Sequence, residues 1–242
     1  MHRKLYFAFT ALWLPWAVAS AADNNPLPFV SPIFGDHMVL QRGKPNPIWG
    51  WTTPGQEVRV EMEGHVAKTV AGTDGRWQTP IQPPPAGGPY TIMIDGPQRV
   101  ELHDVLVGDV WLCGGQSNME LPLARTRNGA EEIKAANHPQ LRLFKVRSHP
   151  AYSPAAVPEG RWQVCSPQAV AENGGFSAVA YYFGLRVQEN IHVPIGLIED
   201  CLGGTPAETW TSPQTLRKLK DFDAQLDEMA RLKAKGGPQY GN

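Results

Sequence analysis

Cysteine is scarce in this chain of 242 residues: there are three, Cys113, Cys165 and Cys201, and they stand far apart. Their spacing matches no metal-ligand pattern and gives no disulfide framework. Buried free thiols are the expected state, although in an exported protein one pair could bridge and leave one thiol over. Charge of one sign is also lacking. The 22 Lys and Arg balance 23 Asp and Glu to a formal net charge of −1, with no basic or acidic block, which argues against nucleic acid or an anionic membrane surface as a partner. No repeat or low-complexity tract is present. The longest apolar stretch, Leu5 to Ala19, is too short and too broken by proline to span a bilayer. It follows Met1-His2-Arg3-Lys4 and leads into Ala19-Ser20-Ala21-Ala22, the basic start, apolar core and small-residue exit of a secretory signal peptide. Residues 1–22 are therefore set apart from the fold, and export to a periplasmic or extracellular compartment is expected.

What the chain has in quantity is 8 Trp, 23 Pro and 24 Gly, the composition of a turn-rich protein with much β structure. Over residues 23–106 the pattern alternates with period two. "EVRVEME" sets Val58, Val60 and Met62 on one face against Glu57, Arg59, Glu61 and Glu63 on the other, and "YTIMI", Asp95-Gly96 and "RVELH" read as a hairpin. Turn signals at Pro54-Gly55, Asp74-Gly75 and Gly87-Gly88-Pro89 complete the pattern of a small antiparallel β-sandwich. His37, His65 and His103 lie within it, each alone, as surface or satisfied sheet residues. Residues 107–242 read differently. "VLVGDVWLC", "LRLFKV" and "VPIGLIED" are continuous apolar runs suited to a buried parallel sheet, and Phe176, Val179, Ala180, Phe183 and Val187 recur at helical spacing after Ser177. A last helix is expected from Ser212-Pro213, with Leu216, Leu219, Phe222, Leu226 and Met229 on one face before Gly236-Gly237. The fold class is thus α/β, a parallel sheet with flanking helices preceded by a small β-sandwich. About three sheet strands are legible where an open α/β sheet has about five or more, so the α/β part reads as incomplete.

The chemistry concentrates where "VWLC" breaks into Gly114-Gly115-Gln116-Ser117-Asn118. Glycines at a strand end allow a tight turn that exposes the next side chain. Ser117 can then be a nucleophile, or it can merely cap the following helix; spacing alone weighs the two equally. The stretch is not a G-x-S-x-G elbow. A second glycine pair, Gly203-Gly204, follows the third strand, and its backbone N–H groups could approach a ligand closely, or simply form a turn.

Taken together, "GDVWLCGGQSNME", "FSAVAYYFG", "VPIGLIEDCLGGTPAETW", "SPIFGDHMVLQR" and "IWGW" resemble the sialate O-acetylesterase group of the GDSL-like, or SGNH, hydrolases, in the same order and over nearly all of the chain after the signal peptide. The resemblance implies that Ser117 is the catalytic nucleophile with its own N–H in the oxyanion hole, and that Gly203 or Gly204 supplies a second donor. It implies that Gln116 and Asn118 fix the turn through side-chain hydrogen bonds, and that Glu208 and Trp210 support the second loop or wall the pocket. The substrate implied is an acetylated carbohydrate, with no metal and no cofactor.

Two elements of the family are missing: the "W-Q-G-E"-like block of the oxyanion hole and the late Asp-x-His that supplies the base. Asp36-His37 and His103-Asp104 lie before the nucleophile and lack that spacing. His138, His149 and His192 remain as substitutes, although His138 and His149 sit in proline-containing turns suited to the surface and His192 precedes a strand at the end opposite the active loops. The expectation is an amino-terminal portion of an exported carbohydrate O-acetylesterase, impaired for want of its base. An acetylxylan-type esterase is the close alternative. A non-catalytic carbohydrate-binding or interaction protein using Trp49, Trp51 or Trp77 is the alternative of another class. Oligomeric state is left open.

Overall fold

The computed structural model describes residues 27–147 and 155–235. Residues 1–22, read above as a signal peptide, and His149 and Gly236-Gly237 lie outside them. The strands are β1 (Val39–Gln41), β2 (Asn46–Trp51), β3 (Glu57–Met62), β4 (His65–Val70), β5 (Arg76–Ile81), β6 (Gly87–Asp95), β7 (Arg99–Gly115), β8 (His138–Lys145), β9 (Trp162–Cys165) and β10 (Ile195–Cys201). The helices are α1 (Ser117–Glu120), α2 (Gly129–Ala135), α3 (Pro167–Ala171), α4 (Ala178–Ile191), α5 (Pro213–Leu219) and α6 (Asp223–Ala234). None of the described helices is long and apolar enough to cross a membrane.

The fold is mixed α/β, and the two sequence patterns meet on one strand. The 17-residue β7 pairs antiparallel with β6 along its first part and parallel with β10 from Asp109 to Gly115. The change of pattern read at 106–107 therefore falls inside a continuous strand. β1 runs parallel to β7 at that seam, from Leu106 to Gly108. Gly108 is needed there because a Cβ would penetrate the carbonyl of Pro194 where β10 arrives. The sheet continues β7-β10-β8-β9, with β8 parallel to β10 and β9 antiparallel to β8. β9 was not legible, since Trp162–Cys165 alternates over too few residues.

The amino-terminal unit has the expected sandwich character. The β2–β5 pair packs on β3, β4 and β6, with Val58, Val60, Met62, Ile92 and Ile94 inside. Trp77 is also inside and donates its indole N–H to the Phe29 carbonyl at 2.7 Å, while Trp49 stacks edge-on against Phe34. These rings build core, so Trp77 offers no sugar platform.

Both faces of the parallel sheet are covered along β8 and β10, by different partners, while Trp111 and Leu112 near the end of β7 are exposed. Cys113, Leu141, Leu143, Ile195 and Leu197 face α4, while Val110, Phe144 and Ile198 face the core of the sandwich. Ser177 caps α4 through its hydroxyl to the Ala180 N–H. The buried stripe of α4 is Ala178, Ala180, Tyr181 and Gly184; Val179 and Phe183 of the expected stripe are exposed. Small residues flank Tyr181 on that face because the helix lies close: a Cβ on Gly184 would stand 2.7 Å from Leu197 and 2.9 Å from Leu141. The single helix expected after Ser212 is two. Lys220 turns into the left-handed region (φ 61), and only Leu216 and Leu226 of the apolar series are buried, leaving Leu219 and Met229 exposed.

His37 is not alone, as the sequence had suggested. Its Nδ1 lies 2.7 Å from the Asp104 carboxylate, and Asp36 accepts the His103 N–H at 2.7 Å, so the two Asp/His dipeptides clasp each other crosswise. Arg142 of β8, buried to 4% exposure, grips both Asp104 carboxylate oxygens at 2.8 and 3.1 Å and also donates to the carbonyls of Pro139 and His37. This ties the α/β sheet to the sandwich. Burial would raise the Asp104 pKa, but hydrogen bonds and charge from Arg142 and His37 outweigh it and hold the carboxyl below its usual range. A group depressed in the folded state contributes stability above its unfolded pKa, and that contribution is lost as pH falls through the folded value. Asp104→Asn should therefore flatten the acid limb of a plot of unfolding temperature against pH. Arg142→Leu, which removes one partner of a buried pair, should cost about 3 kcal/mol in denaturant unfolding; an unchanged midpoint would remove the clasp from the stability of the fold.

Candidate functional site

β7 ends at Gly115, whose φ of +152° is a conformation other residues rarely adopt. Gln116 then caps α1, and Ser117 is the first helical residue. Ser117 does not cap this helix, and so the structural alternative for it fails: one position too late, it is itself held by the cap. The Gln116 side-chain oxygen accepts the Ser117 N–H at 2.9 Å and the Ser117 hydroxyl at 2.7 Å. Both residues are exposed. Asn118 is exposed and makes no side-chain hydrogen bond among the described residues, so the turn is fixed by Gln116 and not by the pair.

β10 ends level with β7, Cys201 beside Gly115, and the Leu202 N–H continues the ladder to the Gly115 carbonyl at 3.1 Å. The second glycine pair is thereby delivered next to the first turn. A Cβ on Gly203 would lie 3.7 Å from the Ser117 Cα and would collide with the Glu120 carboxylate, which accepts the Gly203 N–H at 2.7 Å. Gly204 has φ +78° and open space where a Cβ would be. A side chain at 204 is thus opposed by backbone conformation, and the crowding lies at 203. Trp210 supports this loop by donating its indole N–H to the Thr205 hydroxyl at 2.9 Å, and that hydroxyl donates to the Leu202 carbonyl at 2.6 Å. Glu208 is exposed in a short 3-10 turn. Neither Glu208 nor Trp210 lines the cavity described next.

Ser117 and Glu120 open onto a cavity of about 1050 Å³. Its wall is charged and mostly paired: Lys145 with Glu199 at 3.2 Å, Arg161 with Glu172 at 2.8 Å and Arg147 with Glu159 at 3.8 Å. Arg161 and Gln163 hydrogen-bond Glu172 and hold its carboxyl below the usual range. Glu199, 1% exposed, also accepts the Ser177 N–H at 2.8 Å, which joins the sheet centre to the start of α4. No described histidine lines this cavity. His138 is half-buried beside the Tyr181 hydroxyl at 3.2 Å, a core contact where a surface position was expected, and His192 is exposed at the end of α4. Among the described residues no group of His, Cys, Asp and Glu is gathered as a metal site.

Sequence reading missed Glu120, Lys145 and Glu199. For Glu120 a signal existed: Ser117-x-x-Glu120 is the spacing of a capping box, in which the acid reaches back to its own helix. Here it reaches across to the neighbouring loop. Glu199 and Lys145 sit in largely apolar strands, where a charge gives no hint of its partner on another strand.

Cys113, Cys165 and Cys201 are all buried thiols outside any disulfide. Burial, helped by Glu199, pushes the Cys113 thiol up to about 11 and the Cys201 thiol up to about 12; burial pushes Cys165 up to about 12. Since the thiolate is the reactive form, iodoacetamide at pH 8 should leave the native protein unmodified and alkylate all three after denaturation, read by intact mass. Rapid native alkylation, or a thiol missing after denaturation, would contradict this arrangement.

No protein-family model matches the chain. Individual relatives do. It is 32% identical over 226 residues to the human sialate O-acetylesterase, covering 84% of this chain and 42% of that protein. It is 33% identical over 203 residues to the rat sialate O-acetylesterase, covering 75% and 37%. Among solved structures, a carbohydrate acetylesterase from Xanthomonas citri superposes with a TM-score of 0.72 at 38% identity, over 77% of this chain and 43% of that one. The chain spans about two fifths of the length of these relatives.

Proposed function

The chain belongs to the sialate O-acetylesterase family, and from that premise we propose that it carries the nucleophile half of a carbohydrate O-acetylesterase site, acting on acetyl esters of sugars. The observation that supports this most is the juxtaposition of Ser117, which opens onto the large cavity, with the Gly203-Gly204 turn at the level ends of two parallel strands. A serine nucleophile needs backbone donors beside it, where charge develops on the carbonyl oxygen.

In the proposed reaction the Ser117 Oγ attacks the acetyl carbonyl and passes its proton to solvent water, and the carbonyl oxygen becomes an oxyanion. Collapse expels the sugar oxygen, which takes a proton back from solvent and leaves as the alcohol. Water then attacks the acetyl-serine and releases acetate and the free hydroxyl. The Ser117 N–H can serve the oxyanion by giving up its bond to Gln116, an exchange between exposed neutral groups that costs about 0.5–1.5 kcal/mol. The Gln116 oxygen that receives the Ser117 hydroxyl orients it but cannot remove its proton. The family's Asp-x-His base has no counterpart in these 242 residues, so the chain acting alone should retain only the slow catalysis that binding and backbone donors provide. Export from residues 1–22 is part of the same proposal.

Treatment of the purified chain with an organophosphonate ester should add one adduct, located at Ser117 by peptide mass, and Ser117→Ala should add none. Acetate release from 9-O-acetylated sialic acid and from acetylated xylo-oligosaccharides then compares the two substrate classes. Equal labelling of wild type and Ser117→Ala would remove Ser117 from the role.

A further inference from the structure

We propose that Glu120 is a positioning residue for Ser117, latching the Gly203 amide so that the N–H of Gly204, and not that of Gly203, is the loop's donor to the reacting carbonyl. This rests on the reading of Ser117 as nucleophile. Glu120 ends the four-residue helix that Ser117 begins, so it moves with the nucleophile. Its Oε2 accepts the Gly203 N–H at 2.7 Å, from one loop to the other. A bond to a carboxylate is shorter and roughly twice as strong as one to a neutral acceptor. An ester carbonyl competing for the Gly203 N–H would therefore lose to Glu120. The Ser117 N–H differs, because its acceptor is the neutral, exposed Gln116 amide.

Gly204 is the complement. Among the described residues its N–H has no acceptor, its φ is +78°, and nothing lies within 4 Å of where a Cβ would stand. The turn is pinned on both sides of it. On one side are Glu120 and the Leu202 N–H on Gly115; on the other is Trp210 through Thr205 to the Leu202 carbonyl. Gly204 is thus an unspent donor on a fixed turn, one residue beyond the glycine that meets Ser117. The carboxylate acts through Gly203 and touches no reacting atom.

The test measures the rate at which the organophosphonate ester modifies Ser117 in the full chain, for wild type, Glu120→Ala and Glu120→Gln, with unfolding temperature in parallel. Glu120→Gln keeps an oxygen acceptor and should label within about threefold of wild type. Glu120→Ala releases the turn and should slow labelling by about tenfold to a hundredfold, the scale of a lost oxyanion donor. Rescue by the amide separates positioning from a loss of fold, which would appear in the unfolding temperature. Equal rates in all three proteins, an equal fall in both variants, or faster labelling of Glu120→Ala would each overturn the latch. Absence of Ser117-dependent labelling in wild type would instead overturn the reading of the serine, and the latch with it.

Discussion

The parallel pairing of β7 with β10 is the constraint on which the rest of the molecule depends. Seven consecutive pairs, from Asp109 with Ile195 to Gly115 with Cys201, bring the two strands to an end at the same level. Two glycine turns more than eighty residues apart in sequence then leave the sheet side by side. The pairing is possible because Gly108 gives Pro194 room to pass at the strand's seam. It is fixed in register by burial on both faces, since a one-residue slip would exchange the side facing α4 for the side facing the sandwich. A site composed of two loops needs such a rigid base, because neither loop has a core of its own.

Glu199 shows what this architecture costs. It is a carboxylate at the centre of a parallel sheet, and desolvating it is expensive unless its lone pairs are filled. Lys145 on the neighbouring strand, the Ser177 N–H at the start of α4 and the Cys201 thiol fill them. A buried pair of this kind adds little net stability compared with apolar packing, but it penalises any arrangement that separates its members. Strand β8, strand β10 and the first turn of α4 are therefore held in one relative position at the floor of the cavity that Ser117 also faces. The same charge makes the adjacent thiols harder to ionise, which keeps Cys113 and Cys201 chemically quiet beside the site.

The sequence was informative wherever the governing physics is local. Alternation in Glu57 to Met62, the long apolar runs, the glycine breaks and the Ser177 cap each follow from neighbours a few residues away, and each stands in the structure. It was misleading where long-range packing chose between equivalent local patterns. Val179 and Phe183 carry the right period for a core face, yet the close approach of α4 to Leu141 and Leu197 requires Ala180 and Gly184 there instead. The series from Leu216 to Met229 looks like one helix because periodicity does not register the left-handed turn at Lys220. At the site, Ser117 and the glycine pairs were legible as a strand-end pattern. Glu120 was not, because its partner Gly203 is brought to it only by the sheet.

The pair His37–Asp104 makes the same point about chemistry. A histidine nitrogen 2.7 Å from a carboxylate that is itself held by an arginine has the composition of a base and its orienting group. Its place in the fold assigns it otherwise. Asp104 lies on β7, the strand that ends beside Ser117, and an extended strand rises roughly 3.3 Å per residue, so the eleven residues from 104 to 115 separate them by roughly 35 Å along the strand. No side-chain motion closes that gap. The carboxylate is instead turned toward Arg142, which reaches across from β8 and also takes the carbonyls of His37 and Pro139. Charge that would activate a serine elsewhere here fastens the sandwich to the sheet.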